Sequence, residues 1–394
     1  MPSFNKYHTI EEFEQTARRV LPRHLFDYVA AGSFSEFTLR ENVRAFDRYA
    51  FRPRILADVS DCRLEAAFLG RNHALPIMLA PTALAGVMWP RGESLTARAA
   101  FAAGIPYCLS TVSVCSIEAV RAASAGDLAF QLYMTRDRRI TENLIDRAEQ
   151  AGYSCLFVTV DVPILGKRER DARNGVDTPR RPNAQVIKNI LLRPRWLIRT
   201  LTETLPQLGN FAGLPGIGRN ITAQARTVAN LFDPAMTWRD IDWLRRRWRG
   251  KLVLKGILNP DDAVRAIDAG VDAIVVSNHG GRQLDGAIAA IDGLADVVSA
   301  VGDRIEVLFD GGIRRGRHIA VALALGARAC LIGRAHLYGL AVGGEAGVSR
   351  VLQLLTEELK ITCALLGISH VSRLGTERPV HVRPEFAHGT WRPA

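Results

Sequence analysis

His279 is flanked by Ser277 and Asn278 on one side and by Gly280, Gly281 and Arg282 on the other, the densest grouping of reactive side chains in the chain. An imidazole titrates near neutral pH and can take a proton from a substrate. A guanidinium close by in sequence can grip a carboxylate through two parallel hydrogen bonds. A buried carboxylate such as Asp161 can orient that imidazole and stabilise its charged form. A second grouping is of another kind. Asp310-Gly311-Gly312-Ile313-Arg314-Arg315-Gly316 and, further on, Ile332-Gly333-Arg334 combine glycine with arginine. Glycines let backbone N–H groups approach phosphate oxygens and arginines neutralise the charge, so both segments suit a phosphate carried by a substrate or by a cofactor. Lys255 has three readings: a Schiff-base amine, a positive charge beside an electron-accepting ring, or a core-edge lysine paired with a carboxylate.

Other signals point away from chemistry. Gly213, Gly216 and Gly218 follow no strand, so they make a poor dinucleotide fingerprint, and no GxxxxGK[ST], HExxH or GxSxG occurs. Arg245-Arg246-Arg247-Trp248-Arg249 ends a helix, where the dipole favours cations, and no nucleic-acid partner is expected from it. The six cysteines, Cys62, Cys108, Cys115, Cys155, Cys330 and Cys363, are scattered without CxxC spacing. That argues against a zinc site or a disulfide framework, and no metal is expected; a reducing cytoplasm fits.

Residues so far apart in sequence need a scaffold that gathers them. The chain repeats one unit: a short apolar strand, a polar or glycine-bearing turn, then an amphipathic helix. Eight strands are expected, at Pro76–Ala80, Ile105–Leu109, Leu128–Leu132, Cys155–Val160, Lys251–Leu254, Ala273–Val276, Glu306–Phe309 and Ala329–Ile332. Their near-continuous apolar runs suit parallel strands buried on both faces. Asn259, Pro260, Asp261 and Asp262 start the helix after the fifth strand and Gly270 ends it; Arg317–Leu325 with Gly326 repeats the pattern after the seventh. The expectation is an α/β protein with a TIM (β/α)8 barrel, preceded by an N-terminal helical segment and carrying a long insertion after strand 4. An open doubly wound sheet is the alternative. In such a barrel the active site lies at the C-terminal strand ends. Those ends read Pro81-Thr82-Ala83, Ser110, Gln131-Leu132-Tyr133, Thr159-Val160-Asp161, Lys255, Ser277 to Arg282, Asp310 to Arg314 and Gly333-Arg334.

A single domain is expected over residues 1–378. Within it, residues 1–50 are helical at Ile10–Val20 and Leu25–Ala31 and form a lid or plug over one barrel end. Residues 177–235 are an insertion, and 379–394 a tail. The insertion mixes Arg180, Arg181, Lys188, Arg193, Arg195 and Arg199 with Val186, Ile187, Ile190, Leu191, Leu192, Trp196, Leu197, Ile198 and Leu201. That composition suits either an anionic membrane surface or a segment folded against the barrel with its charges in water. The 394-residue chain is 48% hydrophobic with a net charge of +11, a globular composition that favours anionic ligands or surfaces. It contains no run of apolar residues long enough to span a bilayer, and Met1 to Lys6 lack the apolar stretch of a secretory signal.

The segment SNHGGRQLDG, Ser277 to Gly286, supported in order by QLY, TVD, LKG and DGGIRRG, resembles the FMN-dependent L-2-hydroxy acid oxidase and dehydrogenase family from about Leu21 to Ser372. The resemblance implies oxidation of an L-2-hydroxy acid to the 2-oxo acid, with FMN as cofactor. His279 would be the base, with Asp161 supporting its charged form. Tyr28 and Arg282 would bind the carboxylate, Arg168 would add a cation near the mouth, and Tyr133 would contact the substrate oxygen. Pro81, Thr82 and Ala83 would lie against the flavin. Ser110, Gln131, Thr159, Lys255 and Ser277 would contact its ring or ribityl chain, and Asp310, Gly311, Gly312, Arg314, Gly333 and Arg334 would hold the ribityl and phosphate. RPRW (Arg193–Trp196), PQLGNF (Pro206–Phe211) and NLFDPAMTW (Asn230–Trp238) resemble the family's membrane-associated dehydrogenases. They imply a homo-oligomer, a tetramer in that family, held peripherally on the cytoplasmic side of the cell inner membrane and passing electrons to a quinone. STVSVCSIE resembles lactate dehydrogenase, whereas MWPRGE and YGLA resemble mandelate dehydrogenase, with L-lactate the first expectation. Ala83 departs from the glycine usual in both. An oxidase that uses O2 and makes hydrogen peroxide is the alternative, and a phosphate-substrate barrel lyase or isomerase a remote one.

Overall fold

A computed structural model describes residues 4–174, 184–202, 206–213 and 221–386. Arg180, Arg181, Gly216 and Gly218 lie outside the described residues. Eight parallel strands close a barrel: β1 (Ile77–Leu79), β2 (Tyr107–Ser110), β3 (Leu128–Leu132), β4 (Cys155–Thr159), β5 (Lys251–Ile257), β6 (Ala273–Val276), β7 (Glu306–Asp310) and β8 (Ala329–Ile332). Each pairs with the next, and β8 returns to β1. Most positions on these strands are buried because helices cover the outside and side chains fill the inside, which is why they read as unbroken apolar runs. The open-sheet alternative is excluded by that closure.

Strand limits differ from the sequence reading for local reasons. β2 starts two residues later than expected, after Pro106, which has no N–H to donate and contributes only its carbonyl, to Leu79 N–H. β5 runs on to Ile257 through an irregularity at Gly256, whose φ of +113° glycine tolerates. The helix after β5, Pro260–Asp268, starts as its sequence requires: the Asn259 side chain accepts from Asp261 N–H and Pro260 occupies the first turn.

The N-terminal segment, expected as a lid or plug, reaches the C-terminal rim of the barrel through its later helices. α1 (Ile10–Val20) is closed by a Thr9/Glu12 capping box and buries Ile10, Phe13 and Ala17, packing along the kinked helix Arg334–Leu365. α2 (Arg23–Ala30) carries Tyr28 to the C-terminal rim, and a third helix that the sequence reading missed, α3 (Phe37–Arg44), lies against the turns after β6 and β7. The opposite barrel end is stoppered by a short hairpin, Ala66–Phe68 with Arg71–His73. Its Phe68 and Leu69 join the interior layer of Met78, Val253 and Leu308, and Glu306 accepts from Leu69 N–H. Val380–Val382, the start of the expected tail, pairs antiparallel with Tyr49–Phe51.

Among its described residues the insertion supplies three more α-helices, α4 (Ala184–Leu191), α5 (Pro194–Leu201) and α6 (Ile221–Leu231). One side docks. Trp196 is buried and its indole N–H donates to Val87 O at 3.0 Å, while the Arg199 guanidinium sits 3.6 Å over the Trp89 ring. The other side faces out: Ile187, Leu191, Leu192, Ile198 and Leu201 are exposed, with Lys188 and Arg195 among them. One face of this segment is thus folded against the rest of the protein, and the other is apolar and cationic. Among the described residues, no helix is long and apolar enough to cross a membrane.

Candidate active site

The strand ends converge on one cavity, lined by residues from all of them together with Tyr28. His279 adopts φ +57°, a left-handed conformation costly for a residue with a Cβ. The surroundings enforce it. Its N–H donates to Ser277 Oγ at 3.1 Å, and Asn278 and Asn42 of α3 exchange two side-chain hydrogen bonds of 2.8 Å beneath the turn. Asn278 Oδ1 also accepts from Gly281 N–H. The imidazole Nδ1 lies 2.9 Å from Asp161 Oδ1, which fixes Nδ1 as the protonated nitrogen and leaves the Nε2 lone pair unassigned. Burial alone would raise the Asp161 pKa, but the His279 charge and hydrogen bond, with Lys255, turn the balance downward and keep the carboxylate ionised. Gly256 is required here: a Cβ would stand 2.6 Å from Asp161 Cγ.

A cluster of cations faces this pair. Arg282 and Arg168 place their guanidinium carbons 5.3 and 5.4 Å from the Tyr28 ring centre. Arg282 Nη1 donates to the Tyr28, Val29 and Ala31 carbonyls, anchoring the end of α2 to the rim. Burial, then repulsion from Arg168, lowers the Arg282 pKa, while Arg168 is itself paired with Asp171 at 2.6 Å. Tyr133 remains a phenol, its pKa raised by burial and then by Asp161.

The floor is a polar relay. Gln131 Oε1 accepts from Ser110 Oγ and Thr111 N–H, and its Nε2 donates to Thr159 Oγ1 at 2.9 Å. Beside it, the buried Lys255 Nζ bonds Asp310 Oδ2 at 2.7 Å and Ser277 Oγ at 2.8 Å. Burial opposes the ammonium, but Asp310 and Asp161 outweigh it and the Lys255 pKa is raised. A Schiff base needs the free amine, so that reading of Lys255 loses its support.

Beyond Lys255 the glycines open a cradle. A Cβ at Gly312 would lie 1.8 Å from Asn42 O, so only glycine lets α3 cross the turn; one at Gly333 would meet open space. His318, stacked on Phe46, accepts from Arg314 N–H through Nδ1. Burial, with Arg317, drives its pKa down to about 3 and keeps it a neutral acceptor. Asp310 Oδ1 is buried without a hydrogen-bond partner. A cofactor with a hydroxylated chain and a phosphate fits this arrangement: the orphan oxygen can accept from a hydroxyl, and the cradle of glycine N–H groups with Arg314 suits the phosphate. Arg334 lines the cavity and is also bonded to the backbone. Its Nε, Nη1 and Nη2 donate to Val29, Gly280 and Ala31 carbonyls, which ties β8 to the His279 turn.

Of the residues singled out from sequence, all but Asp161 and Ser277 line the cavity, and those two bond directly to residues that do. Sequence reasoning missed the supports. Buried Glu93 accepts from Gly86, Val114 and Cys115 N–H groups, joining the loops after β1 and β2. Asn210 of the insertion donates to the Ser110 and Thr111 carbonyls. Phe232 stacks on Tyr133 with ring centres 4.4 Å apart, and Ala225 and Ala229 of α6 complete the wall.

A hydroxylated-chain phosphate site, an ammonium beside it and a base–carboxylate pair define a flavin-dependent oxidoreductase barrel. The chain belongs to the FMN-dependent dehydrogenase family, which matches residues 17–381, and FMN is its cofactor. It is 44% identical over 364 residues to the L-lactate dehydrogenase of Caulobacter vibrioides (strain NA1000 / CB15N), covering 92% of this chain and 95% of that one. The Azorhizobium caulinodans L-lactate dehydrogenase is 41% identical over 364 residues, covering 92% and 96%. Among solved structures, a monotopic membrane protein, (S)-mandelate dehydrogenase, superposes with TM-score 0.92 at 38% identity, covering 96% of this chain and all of that one. A mandelate oxidase with (S)-2-phenylpropionate gives TM-score 0.80 at 38% identity, covering 96% and 98%.

Proposed function

We propose that the protein oxidises L-2-hydroxy acids to 2-oxo acids, L-lactate first among them, and passes the electrons to a membrane quinone. The observation that supports this best is the pairing of His279–Asp161 with the Arg282, Arg168 and Tyr28 cluster in one cavity. Arg282 holds the substrate carboxylate, with Arg168 adding attraction and Tyr28 fixing the angle of approach. His279 Nε2 takes a proton from the held substrate, and Asp161 stabilises the imidazolium that results. Tyr133 donates its phenolic hydrogen to the substrate oxygen. Bound FMN supplies the two-electron acceptor. Lys255 would place positive charge beside the ring, Gln131, Ser110 and Thr159 would orient it with Pro81, Thr82 and Ala83 packing against it, and Arg314 with the glycine N–H groups of the cradle would take the phosphate. Ser277 and Arg334 act by holding Lys255 and the His279 turn.

The exposed apolar and cationic side chains of α4 and α5 support peripheral contact with an anionic membrane, on the cytoplasmic face, close to a lipid-soluble acceptor. Anaerobic flavin bleaching with L-lactate, (S)-mandelate, glycolate and longer 2-hydroxy acids tests the reaction. Rates under air with and without a quinone dye separate a dehydrogenase from a peroxide-forming oxidase. Bleaching by none of the acids, or peroxide in stoichiometric yield at full speed, would refute the respective part.

A further inference from the structure

The reading of the cavity as a 2-hydroxy acid site leaves one part of it without an assigned ligand group. Polar lining accounts for carboxylate, hydroxyl and cofactor, yet Val112, Val162, Leu165, Ala225, Ala229 and Phe232 line the same space with nothing polar to offer. An apolar wall is matched only by apolar surface, and the part of a 2-hydroxy acid that varies is the substituent on C2.

The wall has a definite construction. Ala225 and Ala229 stand four residues apart on α6, so they lie one above the other on a single helix face. They are the smallest side chains that keep a helix stable, and both turn toward the cavity. Phe232 follows at the end of α6, 8% exposed and stacked on Tyr133. The chain is pinned there by backbone hydrogen bonds from Arg136 N–H to Leu231 O and from Asp233 N–H to Met134 O. Leu165, from the loop after β4, is half exposed and marks the open end. The insertion therefore has a duty besides its outward face. It builds a slot whose height is set by two alanines and whose end is open.

We propose that Ala225 and Ala229, with Phe232 as backstop, form a side-chain subsite that admits 2-hydroxy acids with aryl or extended alkyl substituents alongside L-lactate, and that these two alanines set the size limit. A methyl substituent reaches little of this wall, whereas a phenyl or hexyl group covers it. A leucine at position 229 would project into the slot and compete for that volume, and valine at position 225 would do so more mildly.

The test compares FMN-loaded wild type with Ala229→Leu and Ala225→Val in anaerobic flavin reduction by L-lactate, (S)-mandelate and L-2-hydroxyoctanoate. Flavin content and thermal melting show which variants keep their fold, and the comparison is read in those. The wild type is expected to be reduced by all three acids. In Ala229→Leu, kcat/KM for the two bulky acids should fall about tenfold or more relative to L-lactate, the usual effect of one misfitted apolar group. Dissociation constants of the corresponding 2-oxo acids, measured by flavin perturbation, should shift in the same ratio. Three results would overturn the proposal. One is a wild type reduced by L-lactate but by neither bulky acid, and another is an unchanged ratio in the folded variants. The third is an effect confined to the later quinone-dye step, which would assign the wall to the acceptor. Reduction by no 2-hydroxy acid at all would instead overturn the underlying assignment of the reaction.

Discussion

Replacing Asp161 by asparagine removes a charge and little else. The amide is the same size, and its oxygen can still accept from the His279 Nδ1–H at the observed 2.9 Å. What disappears is the attraction between the carboxylate and the imidazolium formed when His279 takes the substrate proton. Asp161 is mostly buried, its side chain 13% exposed, so solvent screens this attraction weakly. An opposite charge at such range stabilises the imidazolium by about 1.4–4 kcal/mol. The same attraction holds Asp161 below the usual carboxylate range against its burial. At about 1.4 kcal/mol per factor of ten, kcat for flavin reduction should drop about 10- to 1000-fold. Stopped-flow reduction under anaerobic conditions measures that step directly. Flavin content should stay at the wild-type level, because Lys255, the nearest group facing the cofactor, keeps its bond to Ser277. An unchanged reduction rate would refute the assigned role, and so would a normal rate per flavin combined with loss of flavin.

Gly256→Ala should reproduce part of that defect without touching a reactive group, since its Cβ would press on Asp161 Cγ and the φ of +113° suits glycine; reduction rates in this variant check it. Lys255→Met leaves Asp310 buried beside an apolar side chain, a loss of about 3–5 kcal/mol for a broken buried pair, to be read from denaturant unfolding and from flavin content. Asp285 accepts hydrogen bonds from Ser35 and Thr38, which pull its pKa below 3.8 despite the opposing effect of burial. Its folded-state value is depressed, so its stabilisation is present above that pH and lost as pH falls through the lowered value. Asp285→Asn should therefore melt earlier than wild type at neutral pH, with the gap closing in strong acid. Changing Ile187, Leu191, Leu192, Ile198 and Leu201 to polar residues should release the protein from anionic vesicles while the FMN site stays intact, which sedimentation and flavin absorbance report.

Much of the site is legible in sequence because the fold concentrates chemistry at one kind of place. Apolar runs reveal the strands, and the residue just past each run falls on the rim, so His279, Lys255 and Asp310 can be found without a structure. Paired glycines are legible for a steric reason that the structure makes plain: Gly312 lies under Asn42 O with no room for a Cβ. The supports were not legible. Glu93, Asn210 and His318 act through backbone N–H groups and carbonyls that carry no side-chain pattern, and in sequence they look like ordinary helix and loop residues. The hairpin stopper escaped notice because its two strands are three residues each, below the length at which alternation can be seen. Arg334 lines the cavity as its type and place suggest, and its bonds to backbone carbonyls were not legible in the sequence.

Stereochemistry is the most direct test of the central claim, because a carboxylate grip at Arg282 and a base at His279, as proposed, would together admit one orientation of C2. FMN-loaded wild type and His279→Gln would each be titrated anaerobically with single enantiomers of lactate. The L-acid should bleach the wild-type flavin and the D-acid should not, while His279→Gln stays yellow with both. Bleaching of the wild type by both enantiomers, or of His279→Gln at the wild-type rate, would contradict it.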